Sequence, residues 1–350
     1  MTITIKDLAE MARVSTGTVS RVINGGPGVG EETRKRILKL IKELDYQPNA
    51  SAHGLAAKRS GNIGVIIPHT GGYSMATAYW PGLLTAITER AAAQNYNVLL
   101  STARSEEDVA SAYQSILKGR RIDGLIIGAE QFGDKQLAEL LLKDFPFVMV
   151  GKSVSISHYY VDVDNAGGAR RMTEHLIGLG HRRIAMLAGP EHYPSVIARV
   201  GGFRQAMAAA GLDPGLVYHC PYWTLRAGEI SREIIRSGIG VTAIFAAAGD
   251  LVTGVLQAAR EEGLRLPEDL GVATFDDHPL YNYFAPAISA VRQPIAALGE
   301  AAAVQLFRLM HGEIPEEKGI VLPTELVIRA SCGRPGLKTE AGRVAPETTS

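Results

Sequence analysis

The sequence is short of cysteine. Its two residues, Cys220 and Cys332, lie far apart and in no metal-ligand spacing, which excludes a disulfide framework and suits a reducing compartment. None of the nine histidines forms an H-E-x-x-H pair; His175 and His181 in "HLIGLGH" read as a helix residue and a residue of the following turn. A G-x-S-x-G elbow, a C-x-x-C pair and a complete dinucleotide fingerprint are all missing. Asp276 and Asp277 are neighbours at one strand end and so point to different sides. Together these absences argue against an enzyme, and no metal or cofactor is expected. No apolar run approaches the roughly 18 residues of a spanning helix, and "MTITIKDLAEMA" lacks a basic region followed by an apolar one. A cytoplasmic protein without membrane association is expected.

Net charge is also absent, with 36 basic against 36 acidic residues, but the balance is local. Residues 1–60 hold ten Lys/Arg and six Asp/Glu, whereas the remainder holds 26 and 30. A basic head on an acidic body can steer one end towards polyanions. At 350 residues the chain should contain more than one folding unit, and 46 % hydrophobic content supports a sizeable core.

Within the head, "GGPGVGEET" has the glycine spacing of half a phosphate loop. Glu31 and Glu32 stand where a lysine and a hydroxyl are needed, so the stretch reads as a turn before a helix. In "EETRKRILKLIKELDY", Ile37, Leu40, Ile41 and Leu44 make one apolar stripe. Upstream, "IKDLAEMA" puts Ile5, Leu8 and Ala9 on one face. After a break at Arg13–Val14, Ser15 is a good N-cap for a second short helix in "VSTGTVSRVING". There Val19, Val22 and Ile23 face one way, and Thr16, Gly17, Ser20 and Arg21 another. Three short helices with a tight first turn make a helix-turn-helix. A major groove about 12 Å wide admits a helix whose leading face is not bulky. Periodicity alone leaves that reading and an ordinary polar helix face both open.

The stretch "TIKDLAEMARVSTGTVSRVING…VGEETRKRILKLIKELDYQPNASAHGL" resembles, in register through about sixty residues, the head of the LacI/GalR (lactose/galactose repressor) family of bacterial transcription regulators. The resemblance implies that Thr16, Gly17 and Arg21 read bases, and that Ser15, Thr18, Ser20, Asn24 and Thr33 contact the DNA backbone. Arg13 replaces the family's turn glycine and is expected at positive φ. Gly17 has no side chain to donate, which should relax direct readout at that step.

Between the head and the body, Pro48 stops the third helix and Asn49 can cap a further one from about Ala50 to Ala57. That segment is too short to hold a helix alone, and Gly54 weakens it, so folding only on DNA is expected. The resemblance implies that two such hinge helices pair over the minor groove. Ala52, His53 and Leu55 would lie there, with Leu55 wedged between base pairs; His53 replaces the family's usual arginine.

From Ile63 onward the texture is α/β. "NIGVIIP", "YNVLLST", "DGLIIGA", "FPFVMVG", "RRIAMLAGP", "VTAIFAAA" and "LGVATFDD" alternate with helical stretches such as "GLLTAITERAAAQ", "GARRMTEHLIGLG" and "LVTGVLQAAREEG". That alternation predicts parallel sheets covered by helices, with a ligand beyond the carboxyl ends of the strands. The motifs "VDVDNAGGARRMTEHLIGLGHRRIAMLAGP", "ARVGGFRQAM", "LRLPEDLGVATFDDHP" and "VRQPIAALGEAA" resemble the periplasmic-binding-protein-like core of the same family.

The expected fold is therefore α/β. A three-helix, lambda-repressor-like helix-turn-helix head spans 1–46 and a hinge 47–60. A core of two Rossmann-like lobes spans 61–334, and a disordered tail 335–350. The first lobe is expected over 61–161 and 293–320, the second over 162–292 and 321–334.

Matching positions imply effector contacts from Tyr79, Trp80, Arg104, Tyr193, Ser195, Arg199, Trp223, Asp276 and Gln293. Aromatic faces and an Arg–Asp pair suit a polyhydroxylated ligand. The family's "AND" is "AGD" at Gly249, and its strand-end acid is Gly151, followed by Lys152. With Arg104 and Arg199, that lysine suits a sugar acid or phosphosugar, so the expected effector is a sugar, sugar acid or phosphosugar. The expectation is a homodimeric repressor on a near-palindromic double-stranded operator, switched by the ligand. The alternative, a solute-binding protein with no DNA role, is opposed by the basic head.

Overall fold

The computed structural model describes residues 3–23, 25–46, 59–67, 78–102, 121–128, 134–153, 157–222 and 224–333. Of the residues singled out above, Asn24, Ala52, His53, Leu55, Arg104 and Trp223 lie outside these, as do most of the hinge and the tail. By contacts, the chain divides into one unit of residues 1–61 and a second of 62–350.

Among its described residues the first unit holds three helices, α1 (Ile5–Met11), α2 (Thr16–Ile23) and α3 (Glu31–Glu43). Leu8, Ala9, Val19, Val22 and Ile37 form its small core. Each helix start is marked locally. Thr4 and Asp7 make a reciprocal capping box on α1. The Ser15 hydroxyl accepts from the Thr18 amide at 3.2 Å, and Glu31 and Glu32 sit at the positive end of α3.

The α1–α2 turn is a Schellman cap. The Val14 amide donates to Ala9 O at 2.9 Å and the Arg13 amide to Glu10 O at 3.0 Å, which places Arg13 at φ 51°. Arginine in this left-handed conformation meets a Cβ clash that glycine avoids.

The second unit begins with β1 (Asn62–Ile67), α4 (Tyr79–Ala93), β2 (Asn97–Thr102), β3 (Gly124–Gly128), α5 (Asp134–Leu142), β4 (Phe147–Val150) and β5 (Tyr160–Val163). There follow α6 (Asn165–Gly178), β6 (Ile184–Ala188), α7 (Pro194–Ala209), β7 (Val217–His219), α8 (Thr224–Arg236), β8 (Ala243–Ala246), α9 (Gly249–Glu261) and β9 (Gly271–Phe275). A 3-10 turn at Pro279–Tyr283 leads to β10 (Ser289–Arg292), α10 (Ile295–Met310), β11 (Gly319–Leu322) and β12 (Glu325–Val327).

The strands form two six-stranded sheets in the orders β11-β5-β4-β3-β1-β2 and β12-β10-β9-β8-β6-β7. The first five strands of each half repeat one winding, 2-1-3-4-5, and all pairs are parallel except β10 with β12. The central strands β3, β4, β6, β8 and β9 are buried throughout. They can be so uniformly apolar because helices cover both faces. Four hydrophobic clusters line the sheet faces.

The chain crosses between lobes after β5, after β10 and between β11 and β12. The first sheet keeps β5 to Val163 and β11 to Leu322, so two crossings lie two residues beyond the expected 161 and 320. The reason is pairing: the register of β5 with β11 runs from Tyr160–Gly319 to Val163–Leu322. Within the second lobe α6 and α7 pack so closely that a Cβ on Gly202 would meet Ala166 O at 2.0 Å. Among the described residues no helix is long and apolar enough to cross a membrane.

Arg13→Gly should stabilise the first unit by about 1 kcal/mol, read as slower hydrogen exchange of the α1 and α2 amides in the full chain. No change, or a loss, would mean that the Arg13 side chain compensates its own backbone.

Candidate functional site

On α2, Val19 and Val22 are buried and Ser15, Thr16, Gly17 and Arg21 are exposed, with Thr18 and Ser20 half-buried. The helix thus presents one small, polar face and one cation. Ser15 and Thr18 also pair through their hydroxyls at 2.9 Å. Thr33 lies in the first turn of α3, half-buried. The loop before α3 is tied down by Arg34, whose Nη2 donates to Gly26 O at 2.6 Å. Packing does not demand a glycine at position 17: an added Cβ would meet only Ser15 Oγ, at 3.7 Å. The thinness of that face belongs to whatever the helix approaches.

A cavity of about 370 Å³ opens between the two lobes of the second unit. Its walls are strand ends and helix starts, as the winding requires: Gly128 ends β3, Val150 β4 and Asp162 lies on β5, while Ala248 and Asp276 follow β8 and β9. Of the expected residues, Tyr79, Trp80, Ser195, Arg199, Asp276 and Gln293 line it. Tyr193 does not. It precedes Pro194 in extended backbone, and its ring, 5 % exposed, packs into the second lobe's core.

Arg199 is buried at 6 % exposure. Nε donates to Asn165 Oδ1 at 2.8 Å, Nη1 to Ala247 O at 2.7 Å, and the guanidinium lies 3.7 Å over the Phe275 ring. Its Nη1 is 3.8 Å from Asp276 Oδ2. Asp276 has φ 72°, a left-handed backbone that is costly for aspartate and is held by its partners. Oδ2 accepts from the Gly249 amide at 3.2 Å, and Oδ1 accepts a close hydrogen bond from Gln293 Nε2. A Cβ on Gly249 would stand 3.2 Å from the Tyr281 hydroxyl and 3.4 Å from Asp276 Cβ, so the tight approach that glycine permits is that of Tyr281. Asp277 also lines the cavity but is gripped by Arg292 at 2.7 Å and Arg329 at 2.8 Å; burial opposes its charge, and those hydrogen bonds hold its carboxyl below the usual range.

Residues not singled out complete the wall. Asp162 on β5 accepts from the Val163 amide at 2.7 Å and from Asn165 Nδ2 at 3.0 Å. Asp162, Asn165, Arg199, Asp276 and Gln293 therefore make one polar relay from the first sheet, through two crossings, into the second lobe. The sequence signal was "VDVDN", whose acids and amide sit at a lobe crossing. Tyr222 and Tyr281 add aromatic surface, and Asp250, in the first turn of α9, adds a fourth carboxylate to Asp162, Asp276 and Asp277. Among the described residues the lining cations are Lys152, which is exposed, and the already engaged Arg199. Within that set the balance of charge is acidic, which does not favour the acidic or phosphorylated ligand expected from sequence.

Residues 4–49 match the family model of bacterial regulatory proteins, lacI family, and residues 173–332 a periplasmic binding protein-like domain. The chain is 32 % identical to the transcriptional regulator CelR of Thermobifida fusca, covering 94 % of this chain and 98 % of that one. It is 33 % identical to catabolite control protein A of Streptococcus mutans, over 92 % and 95 %. The chain belongs to the LacI family. Among solved LacI-family structures, the lac repressor dimer bound to operator and the anti-inducer ONPF superposes with TM-score 0.84 at 28 % identity, over 95 % of this chain and 100 % of that one. A CelR–cellobiose complex superposes with TM-score 0.73 at 30 % identity, over 94 % and 99 %. This LacI-family chain is a ligand-controlled, DNA-binding transcriptional regulator, and its relatives are regulators rather than enzymes.

Two outcomes follow. Gly17→Ala should stabilise α2 by about 0.5–1 kcal/mol while altering operator preference; unchanged relative affinity across a library of operator variants would show that position 17 does not approach bases. Burial, and then the charge of Asp276, push the Asp250 carboxyl from 3.8 up to about 7. A carboxyl that holds its proton more tightly when folded makes stability fall as pH rises from about 4 to about 7. Asp250→Asn should remove that part of the fall, so its melting temperature should gain on the parent's across that window. Parallel curves would mean that Asp250 is hydrated.

Proposed function

We propose that the cleft takes a sugar-like, polyhydroxylated effector, and that its occupancy decides whether a homodimer engages a near-palindromic operator through paired α2 helices. The observation that carries this reading is the polar relay that spans both lobes. A ligand bonded to Asp276 and Arg199 touches a network whose other end, Asp162, belongs to the first lobe's sheet, so occupancy and lobe closure are one equilibrium. Tyr79, Trp80 and Tyr222 offer flat apolar faces for the C–H side of a sugar ring, and Ser195 and Gln293 add neutral polar groups. The CelR relative bound to cellobiose and the ribose operon repressor of Halalkalibacterium halodurans, 31 % identical, support a carbohydrate.

In this reading Thr16, Gly17 and Arg21 meet bases, and Ser15, Thr18, Ser20, Asn24 and Thr33 meet phosphates. Residues 47–60 act as the hinge that orders on DNA, with Ala52, His53 and Leu55 at the minor groove and Leu55 as the wedge. Arg104 and Trp223 join the effector contacts. Lobe movement changes the spacing of two hinges across a dimer, and a coupling of a few kcal/mol then switches operator occupancy. Such a protein works in the cytoplasm, on the nucleoid when bound.

Gel-shift titration on promoter duplex at fixed salt tests the DNA half. Arg21→Ala should cost about 1–3 kcal/mol on the cognate operator and little on random duplex; equal losses on both would assign Arg21 to phosphate alone. A thermal-shift panel of sugars tests the ligand half. Arg199→Ala should weaken any sugar that stabilises the parent by about 2 kcal/mol or more, and an undiminished response would place the ligand elsewhere.

A further inference from the structure

The carboxylates of the cleft are unequally employed. Asp162 accepts from the Val163 amide and Asn165, Asp276 accepts from Gln293 and the Gly249 amide, and Asp277 is held by Arg292 and Arg329. Asp250 differs. It lines the cavity, and its carboxylate accepts no hydrogen bond from the described residues, although its main-chain oxygen accepts from Thr253 Oγ1 at 3.1 Å. Burial and the charge of Asp276 push its carboxyl up to about 7, as befits a carboxylate without a counterion.

Among the described residues, the lining cations do not meet that need. Arg199 is committed through Nε and Nη1 and is nearest Asp276, leaving Nη2 for a ligand, and the charge of exposed Lys152 is screened by water. An anionic ligand would enter facing the carboxylates of Asp162, Asp250 and Asp276, the charge of Asp277 being already matched by Arg292 and Arg329. A neutral sugar would leave Asp250 as it is, or give it one hydroxyl. An ammonium group would supply the missing charge and a charge-assisted hydrogen bond, about twice as strong as a neutral one. Because Asp250 is already partly withdrawn from water by the fold, part of the desolvation that weakens buried ion pairs has been met before the ligand arrives.

We propose that the effector is an amine-bearing polyol, in chemical class an amino sugar, whose ammonium pairs with Asp250 while its hydroxyls engage Arg199 and Asp276. This rests on the reading of the cleft as a polyol site.

Calorimetric titration of the full chain at pH 7 with three matched pairs tests it: glucosamine with glucose, galactosamine with galactose, and mannosamine with mannose. In at least one pair the amine should bind tenfold or more tighter than its neutral partner. Asp250→Asn should cut that ratio to threefold or less, whereas Asp250→Glu should keep it above threefold. Because the ratio is taken within one protein, a general loss of stability cancels, and if Asp250→Asn does not fold the parent ratio still decides. Equal binding of amine and neutral partners, or an amine preference that survives Asp250→Asn, would overturn the proposal and leave the sugar cleft standing. Silence of all six would overturn both.

Discussion

The cleft is organised by one buried guanidinium. Arg199 sits among apolar residues, where an uncompensated charge would be prohibitive. It is sustained by Asn165, the Ala247 carbonyl, the Phe275 ring and the nearby Asp276. Those partners come from a lobe crossing, two strand ends and a residue in strained backbone. Moving one lobe against the other must therefore act on Asn165 and Gln293, the residues that join Arg199 and Asp276 to the crossings. A ligand need only compete for, or add to, these few bonds to be felt in both lobes.

Asp276 illustrates how the site stores that sensitivity. Its left-handed backbone is tolerated because the Gly249 amide and Gln293 hold its two oxygens. Its companion Asp250 has no counterion among the described residues. Over those residues the charge of the cleft is better suited to a cation or a neutral polyol than to an acid.

In the head, nearly everything was legible locally. The cap at Ser15, the apolar stripe of α3 and the positive φ of Arg13 all arise from bonds within four or five residues, so the pattern of residue types carries them; the Thr4–Asp7 capping box is equally local but was not singled out. The core strands were legible too, because strands covered on both faces are almost wholly apolar. Strands β5, β7, β10, β11 and β12 did not stand out as runs: they are short or partly exposed, and their pairing comes from partners far along the chain. Tyr193 failed as a cleft residue for a related reason. Its position before Pro194 and the space available in the second core direct the ring inward, and neither is visible in a motif.

What the sequence determined by itself was local and periodic: three short helices with one thin face, repeated strand–helix units, and the residue types that can bind hydroxyls. The tertiary structure alone decided which of those side chains converge. Asp162 and Asp276 meet one cleft only because β5 and β9 belong to different sheets that face each other across the crossings. Among the described residues Asp250 has no counterion, since Arg199 is already engaged. Charge balance inside a cavity is a property of distances between remote residues, and distances of that kind are set by packing rather than by order along the chain.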